Sequence, residues 1–459
     1  MLSPWQEHRR VRYSEFMKVT ARRSIVMPTF SLVVIAYNRG DYIRQCLDSL
    51  VGQTFTDIEI IVVDDASTDG TLDVVRSYSD KDSRVRVIAK SRNEGAHLAR
   101  LDGCAASTGD YVIFVDGDDA LELTACELLE PFIRSHDVDI VRFGRTVVGE
   151  TDVDRAEVPA LEYLYNKKTE ALHGKQIICA MYEDGRDSKL TYCVIDSVFK
   201  GDWIRATCNS IARVKLGRMQ DAYESFVIAS KAQSLITIPE CRLLRYHYGR
   251  GVSGSETMTT STFVKDQSSM FAVTCAVEKY AETQDDFIRD LAARFRRDVL
   301  RIVENQWRRR LLPEQQQEAL KAVRQTWGEE AACGVLLIPF LARAKELVDG
   351  HFTPVDVDDY YRWDDMLRLI RPEHISDQEL ANQLKDLDRM RGAIDKQVKA
   401  NLLAEEERQR SLERALTEER ERRRLLKTGS AAKQIVDKLL PEESRMRRAI
   451  RGFLLPFRS

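Results

Sequence analysis

The strongest constraint on the fold is an alternation, over residues 31–147, of short apolar runs with amphipathic stretches. Residues 32–37 (LVVIAY), 58–63 (IEIIVV), 85–89 and 111–115 (YVIFV) are rich in β-branched and aromatic side chains and read as buried strands. Between and after them, residues 41–50, 71–78, 95–106 and 121–133 read as helices; Ile43, Leu47 and Leu50 fall on one face of the first. Strands that are apolar throughout, and not alternating, must be covered on both faces. The pattern therefore predicts an α/β domain with a mostly parallel sheet. Right-handed crossovers then place the loops after these strands along one sheet edge, where sites in such folds form.

The residues that carry chemistry stand at those strand ends. Tyr37-Asn38-Arg39 follows the first strand, Asp64-Asp65-Ala66-Ser67 the second, and Asp116-Gly117-Asp118-Asp119 the fourth. Two acidic clusters brought together at one edge repel each other unless cations or hydrogen-bond donors compensate. An all-oxygen donor set suits a hard divalent cation, Mg²⁺ or Mn²⁺, which also binds diphosphates. Acids, an aromatic ring and a metal together fit a nucleotide diphosphate.

These residues, in this order and spacing, resemble the nucleotide-sugar domain of family 2 inverting glycosyltransferases, which have the GT-A fold. The resemblance is strong over about a quarter of the chain, from SLVVIAYNRGDYIRQCL through IEIIVVDDASTDGT to NEGAHLAR and YVIFVDGDDAL, and runs on more weakly to about residue 255. It implies that Tyr37 stacks on the donor base and that Asp65, with Asp64 beside it, accepts the base imino hydrogen bond. Arg100 would lie near the donor pocket. Asp116, Asp118 and Asp119 would hold the ribose and a Mn²⁺ or Mg²⁺ on the diphosphate, with Asp118 the favoured principal ligand. Downstream, Met219-Gln220-Asp221-Ala222-Tyr223-Glu224-Ser225-Phe226 resembles the family's Glu-Asp-x-x-Phe segment, with Gln220 in place of the usual Glu. Asp221 falls at the catalytic base, the carboxylate that an inverting transfer needs on the acceptor side. A helix-start cap is its competing reading, and Glu224 is an alternative base. The resemblance further implies a UDP-sugar donor, a glycan, cell-wall or surface-polymer acceptor, and phosphate contacts from His247, Tyr248 and Arg250. Ile35 and Ala66 stand where the family often has Pro and Gly. His97 reads as a packing residue ahead of a substrate contact.

The rest of the chain divides by composition into a basic extension (1–26), the remainder of the nucleotide-sugar domain within 27–255, a helical domain (256–375), a charged helix (376–428) and a basic amphipathic end (429–459). The extension is either a flexible arm or a stretch preceding a natural start at Met27. In the charged helix Leu380, Leu384, Leu387, Ile394 and Val398 keep a heptad spacing that predicts a coiled-coil seam and a homodimer. The same frame then meets Asn401, Glu405 and Arg408, so the second half reads as a solvated helix. At the end, five arginines between 445 and 458 surround Met446, Ile450, Phe453 and Phe457, which suits an anionic membrane surface better than a buried contact.

Charge and cysteine usage narrow the remaining classes. Lys plus Arg number 70 against 73 Asp plus Glu, a balance that argues against nucleic acid as the partner of the whole surface. Nine dispersed cysteines without a CxxC pair predict reduced thiols, not zinc or a redox centre. Residues 335–342, the longest apolar run, are far short of the ~20 a membrane span needs. A cytoplasmic location, peripheral at the inner face of the membrane, is the resulting expectation. Two other functions compete with sugar transfer: a catalytically inactive interaction protein that works through its coiled tail, and nucleotidyl transfer at the same acidic cluster.

Overall fold

A computed structural model describes residues 28–182, 190–250, 258–350 and 354–439. The predicted basic extension and most of the basic amphipathic end, including all five of its arginines, lie outside the described residues. Cα packing divides the chain into two units, Met1–Ala331 and Ala332–Ser459.

The first unit is built on one nine-stranded sheet among the described residues. Its strands are β1 (Phe30–Ala36), β2 (Ile58–Asp64), β3 (Val85–Ala89), β4 (Tyr111–Asp116), β5 (Ala120–Leu121), β6 (Ile140–Gly149), β7 (Leu172–His173), β8 (Ser197–Lys200) and β9 (Ser234–Tyr248). They run in the order β3-β2-β1-β4-β8-β6-β9-β5, with β7 on β9. The β3-β2-β1-β4 half is parallel, as its apolar strands require, whereas β8 joins β4 and β6 antiparallel. The result is a GT-A-like mixed sheet. β1 and β2 are buried along their whole length, so both of their faces are covered.

The helices of the parallel half are α1 (Ile43–Val51), α2 (Thr71–Ser79), α3 (Ala96–Ala106) and α4 (Ala125–Ser135). α3 lies so close to β1 that a Cβ on Gly103 would sit 2.3 Å from Val33 Cγ1; only glycine permits that approach. One polar group is built into this core. Glu59 of β2 is buried, accepting hydrogen bonds from Ser31 Oγ at 2.6 Å and the Thr108 N–H at 2.6 Å, which satisfies its carboxylate as burial demands.

The unit continues through α5 (Asp152–Tyr165), α6 (Lys175–Tyr182), α7 (Gly201–Cys208) and α8 (Gln220–Lys231), then α9 (Thr260–Ala281), α10 (Asp286–Arg310) and α11 (Pro313–Trp327). β1 pairs with β2 on one side and β4 on the other, so the strand order reverses at β1. That reversal opens the crevice in which ligands of such sheets bind.

The second unit holds most of α12 (Glu329–Val348), with α13 (Pro354–Ile370) and α14 (Gln378–Leu439). Phe340 packs edge-on against Tyr360, Arg371 just past α13 pairs with Asp388 of α14, and Arg391 of α14 pairs with Asp364 of α13. The heptad stripe of α14 is covered within the chain. Leu384, Leu387 and Ile394 are at most 1% exposed within this unit, and Arg391, at the next seam position, reaches Asp364 of α13 at 2.5 Å. The chain thus buries this stripe by itself. Beyond it Leu403, Leu412 and Leu416 are all more than half exposed, as expected for the solvated half. No described helix is long and apolar enough to cross a membrane.

Candidate functional site

Backbone register assembles the site. Ile35 of β1 lies opposite Asp116 of β4, and Ala36 opposite Asp64 of β2. The residues that follow these strands therefore meet at one edge, around a cavity of about 380 Å³ lined by Tyr37, Arg39, Asp65, Asp116, Asp118, Asp119, Gln220 and His247 among others. Tyr37 is 43% exposed there, a ring left available to a ligand. Three residues other than glycine adopt a left-handed backbone among the described residues, and all three flank this region: Asn38 (φ 50°), Ala66 (φ 63°) and Met219 (φ 67°). Such conformations cost energy for side chains with a Cβ and concentrate where loops are held for function.

The two aspartates after β2 have different surroundings. Asp65 lines the cavity and accepts the backbone N–H groups of Glu94 (3.0 Å) and Gly95 (2.6 Å), with Lys90 Nζ at 3.6 Å. It thus fixes the loop that leads into α3. Asp64 is fully buried and is not among the cavity-lining residues; its Oδ2 accepts the Ser67 N–H at 3.0 Å.

Asp116, Asp118 and Asp119 bring carboxylate oxygens within 4.8 Å of one another. Burial, and then the charge of Asp116, push the Asp118 carboxyl above its usual range, although Arg39 Nε lies 3.0 Å from it. Asp119 is driven higher still by burial and by both neighbours. Its Oδ1 accepts the His247 N–H at 2.8 Å, while its buried Oδ2 has no hydrogen-bond partner. An oxygen-only cluster with an unsatisfied buried oxygen and raised pKa values is short of positive charge. These residues therefore fit a hard divalent cation. His247 and Arg250 stand at the same edge but are already engaged: both pair with Glu150, and Arg250 lies over the Tyr42 ring.

A second cavity, of about 660 Å³, adjoins the first and shares Asp116, Gln220 and Tyr246 with it. Asp221, in the first turn of α8, lines it. Burial pushes the Asp221 carboxyl up to about 7 against the pull of Arg100, with Glu224 and Asp116 adding to the rise. A carboxyl that titrates near neutrality is suited to accepting a proton. It also accepts the Ala222 N–H at 3.1 Å, but the helix begins at Gln220 with Met219 at the cap position, so Asp221 is not the helix-start cap of its competing reading.

Glu224, the alternative base, does not line either cavity. It is 2% exposed and takes His97 Nδ1 at 2.8 Å and Arg100 Nη1 at 2.6 Å. His97, itself fully buried, turns its Nε2 to the Ala212 carbonyl at 2.9 Å, so it is a packing residue. Burial opposes the charge of Arg100, but Glu224 and Asp116 outweigh that and hold its pKa above the usual value.

Sequence reasoning gave no role to the Arg39–Asp118 pair, to Gln220 between the cavities, or to the buried cluster of Arg142, Arg145 and Asp196. The last had a signal: two arginines inside the apolar run IVRFGRTVVG demand a buried acidic partner.

The family model described as glycosyl transferase family 2 matches residues 31–183. Over 112 residues the chain is 38% identical to the uncharacterized glycosyltransferase YibD of Escherichia coli (strain K12), which is 24% of this chain and 32% of that one. It is 42% identical over 113 residues to the poly(ribitol-phosphate) beta-glucosyltransferase of Bacillus spizizenii, covering 24% of this chain and 18% of that one. The shared stretch thus spans about a third or less of these relatives. Among solved structures, S. aureus TarS 1–349 in complex with UDP-GlcNAc superposes with a TM-score of 0.48 at 20% identity, over 75% of this chain and 93% of that one.

Proposed function

The chain carries a glycosyl transferase family 2 domain, and from it we propose a metal-dependent inverting transfer of a sugar from a nucleotide diphosphate donor, a UDP-sugar, to a glycan, cell-wall or surface-polymer acceptor. The observation that carries this reading is the pairing of the two cavities: an acidic cluster in one, Asp221 in the other, and Asp116 and Gln220 on the wall of both.

In this reading Tyr37 stacks on the donor base, and Asp65 holds the base edge and the loop before α3. Asp64 supports that turn from beneath through the Ser67 N–H. Asp116, Asp118 and Asp119 hold Mn²⁺ or Mg²⁺, which when bound supplies positive charge to the departing diphosphate. Asp221 takes the proton of the acceptor hydroxyl. That oxygen bonds to the anomeric carbon as the bond from the carbon to the diphosphate oxygen breaks, and the electron pair leaves with the nucleotide diphosphate. Arg100 keeps Asp116 and the start of α8 in register. The enzyme works in the cytoplasm, and the basic 429–459 segment gives it contact with an anionic membrane surface.

Stereochemistry tests the proposal. Proton NMR of an α-linked UDP-sugar being hydrolysed by the protein should show the β-anomer first. The α-anomer appearing first would overturn the inverting mechanism, and sugar 1-phosphate with UMP, in place of UDP, would mean that attack falls on phosphorus, as in nucleotidyl transfer.

A further inference from the structure

The cavity that holds Asp221 is not completed by the matched domain. α10, far beyond residue 183, supplies Phe295, Asp298, Val299 and Ile302 to its wall. At about 660 Å³ the space is in the range that encloses a small organic ligand. Its lining includes the rings of Tyr165, Tyr182, Tyr192, Tyr246 and Phe295. Tyr192 stacks on Tyr182 with centroids 5.9 Å apart, and Tyr165 meets Tyr246 edge-on at 5.8 Å. Tyr165, Tyr192 and Tyr246 are each only partly buried, so flat apolar area is left to a ligand.

Each arginine of the cavity wall has an acidic partner, although Arg145 shares its own with Arg142 and the buried Nε atoms of Arg100 and Arg145 make no hydrogen bond. Arg100 is held by Glu224 and Asp116, and Arg218 by Asp266. Arg145 pairs with Asp196 and lies 4.0 Å under the Tyr165 ring, and the charge it shares with Arg142 is buried at no more than 3% exposure. Asp116, Asp221 and Asp298 also line the cavity. An anionic ligand would therefore meet carboxylates without a guanidinium reserved for it, and repulsion of that kind excludes wrong partners. A ring with an apolar face and several hydroxyls suits these surfaces: its C–H face on the tyrosines, its hydroxyls toward Thr191 and Asp298.

We infer that this cavity seats an uncharged pyranose unit of the acceptor, and that α10 sets which units fit. The inference rests on the transferase reading and narrows its acceptor. Its test uses binding to the full chain without donor or metal, so it does not depend on turnover. Saturation-transfer NMR would compare methyl glucoside, methyl N-acetylglucosaminide and lactose with glucose 1-phosphate, glucuronate and glycerol phosphate. The uncharged glycosides should receive saturation at their ring C–H protons, and the anions should not. Tyr192→Leu should weaken that signal by about fivefold or more, with Tyr192→Phe retaining it. Ile302→Trp, which fills the α10 side, should abolish it and stands in for Tyr192→Leu should that variant unfold. Preferred binding of the anions, an unchanged signal in Tyr192→Leu or Ile302→Trp, or no glycoside binding would each overturn the inference. Donor turnover without glycoside binding would sink this inference alone. Glycoside binding with no turnover of any donor would sink the transferase reading and leave a sugar site.

Discussion

Arg100 and Glu224 form a buried ion pair at 2.6 Å, and the other amino group of Arg100 reaches Asp116 at 3.1 Å. One guanidinium thereby joins α3, the end of β4 and the first turns of α8, the three elements that position the acids of both cavities. Replacing Arg100 with Met would leave Glu224 buried without its cation. A destabilisation of about 3–5 kcal/mol is expected from such a loss. Turnover should fall by roughly 100-fold as Asp116 and Asp221 lose their relative placement. Chemical denaturation and donor turnover, measured on the same samples, check both effects. An Arg100→Met protein as stable and as active as wild type would mean the pair has no positioning role.

Asp221 should impose a pH dependence. The proton-accepting form is the carboxylate, and burial places its pKa at about 7, so transfer should rise with pH through that value. Stability runs the other way. Folding raises this pKa from an ordinary 3.8, so the protonated form favours the fold. The stability it contributes is complete at acid pH and is lost as pH rises through 7. Asp221→Asn should therefore abolish transfer, preserve donor binding, and melt higher than wild type at pH 8 but not at pH 4. Melting curves at the two pH values decide it; a variant less stable than wild type at pH 8 would contradict the assignment.

Ala66 holds a left-handed backbone, φ 63°, immediately after the two aspartates of β2. Glycine adopts this conformation without a Cβ penalty. Ala66→Gly should accordingly stabilise the protein by up to about 1 kcal/mol, after the greater entropy of glycine in the unfolded chain is set against the relieved strain. Equilibrium urea unfolding reads the difference. A loss of more than that amount would show that the loop is not strained.

The tail is separable only past its buried stripe. Trp363 and Leu367 of α13 are 3% and 0% exposed, and Leu384 and Leu387 of α14 are 1% and 0%. A chain ending at residue 401 should keep the melting transition of the second unit. One ending at 375 loses several buried leucines, each giving about 1.5–3 kcal/mol, and that transition should fall or vanish. Calorimetry of the two truncations distinguishes them, and equal melting would refute the intramolecular packing of α14.

The parallel half of the sheet was readable because β1 and β2 are mostly apolar and do not alternate, and the site acids because they stand where those strands stop. β6 was not. Arg142, Gly144 and Arg145 interrupt its apolar run, and their compensation comes from Asp196, more than fifty residues away. Most of β9 was hidden likewise, since CRLLRYHY alternates charge with apolar residues in a strand that is covered unevenly. The contacts of Glu224 with His97 and Arg100 span more than a hundred residues, beyond any local pattern. For α14 the heptad spacing revealed an apolar stripe, but periodicity does not say whether a second copy or the same chain covers it. The contribution of α10 to the acceptor-side cavity was out of reach for the same reason: Ile302 and Asp298 become its lining only once the sheet has brought Asp221 beside them.

The most direct test of the account is nucleotide diphosphate release. Purified protein would be incubated with Mn²⁺ and a panel of UDP-, GDP- and dTDP-sugars, alongside Asp118→Asn, Asp221→Asn and an EDTA control. The account predicts release from a UDP-sugar that is lost with EDTA and in both variants, while Asp221→Asn still binds the donor. Release that persists in EDTA or in Asp118→Asn, or the absence of both binding and release across the panel, would contradict it.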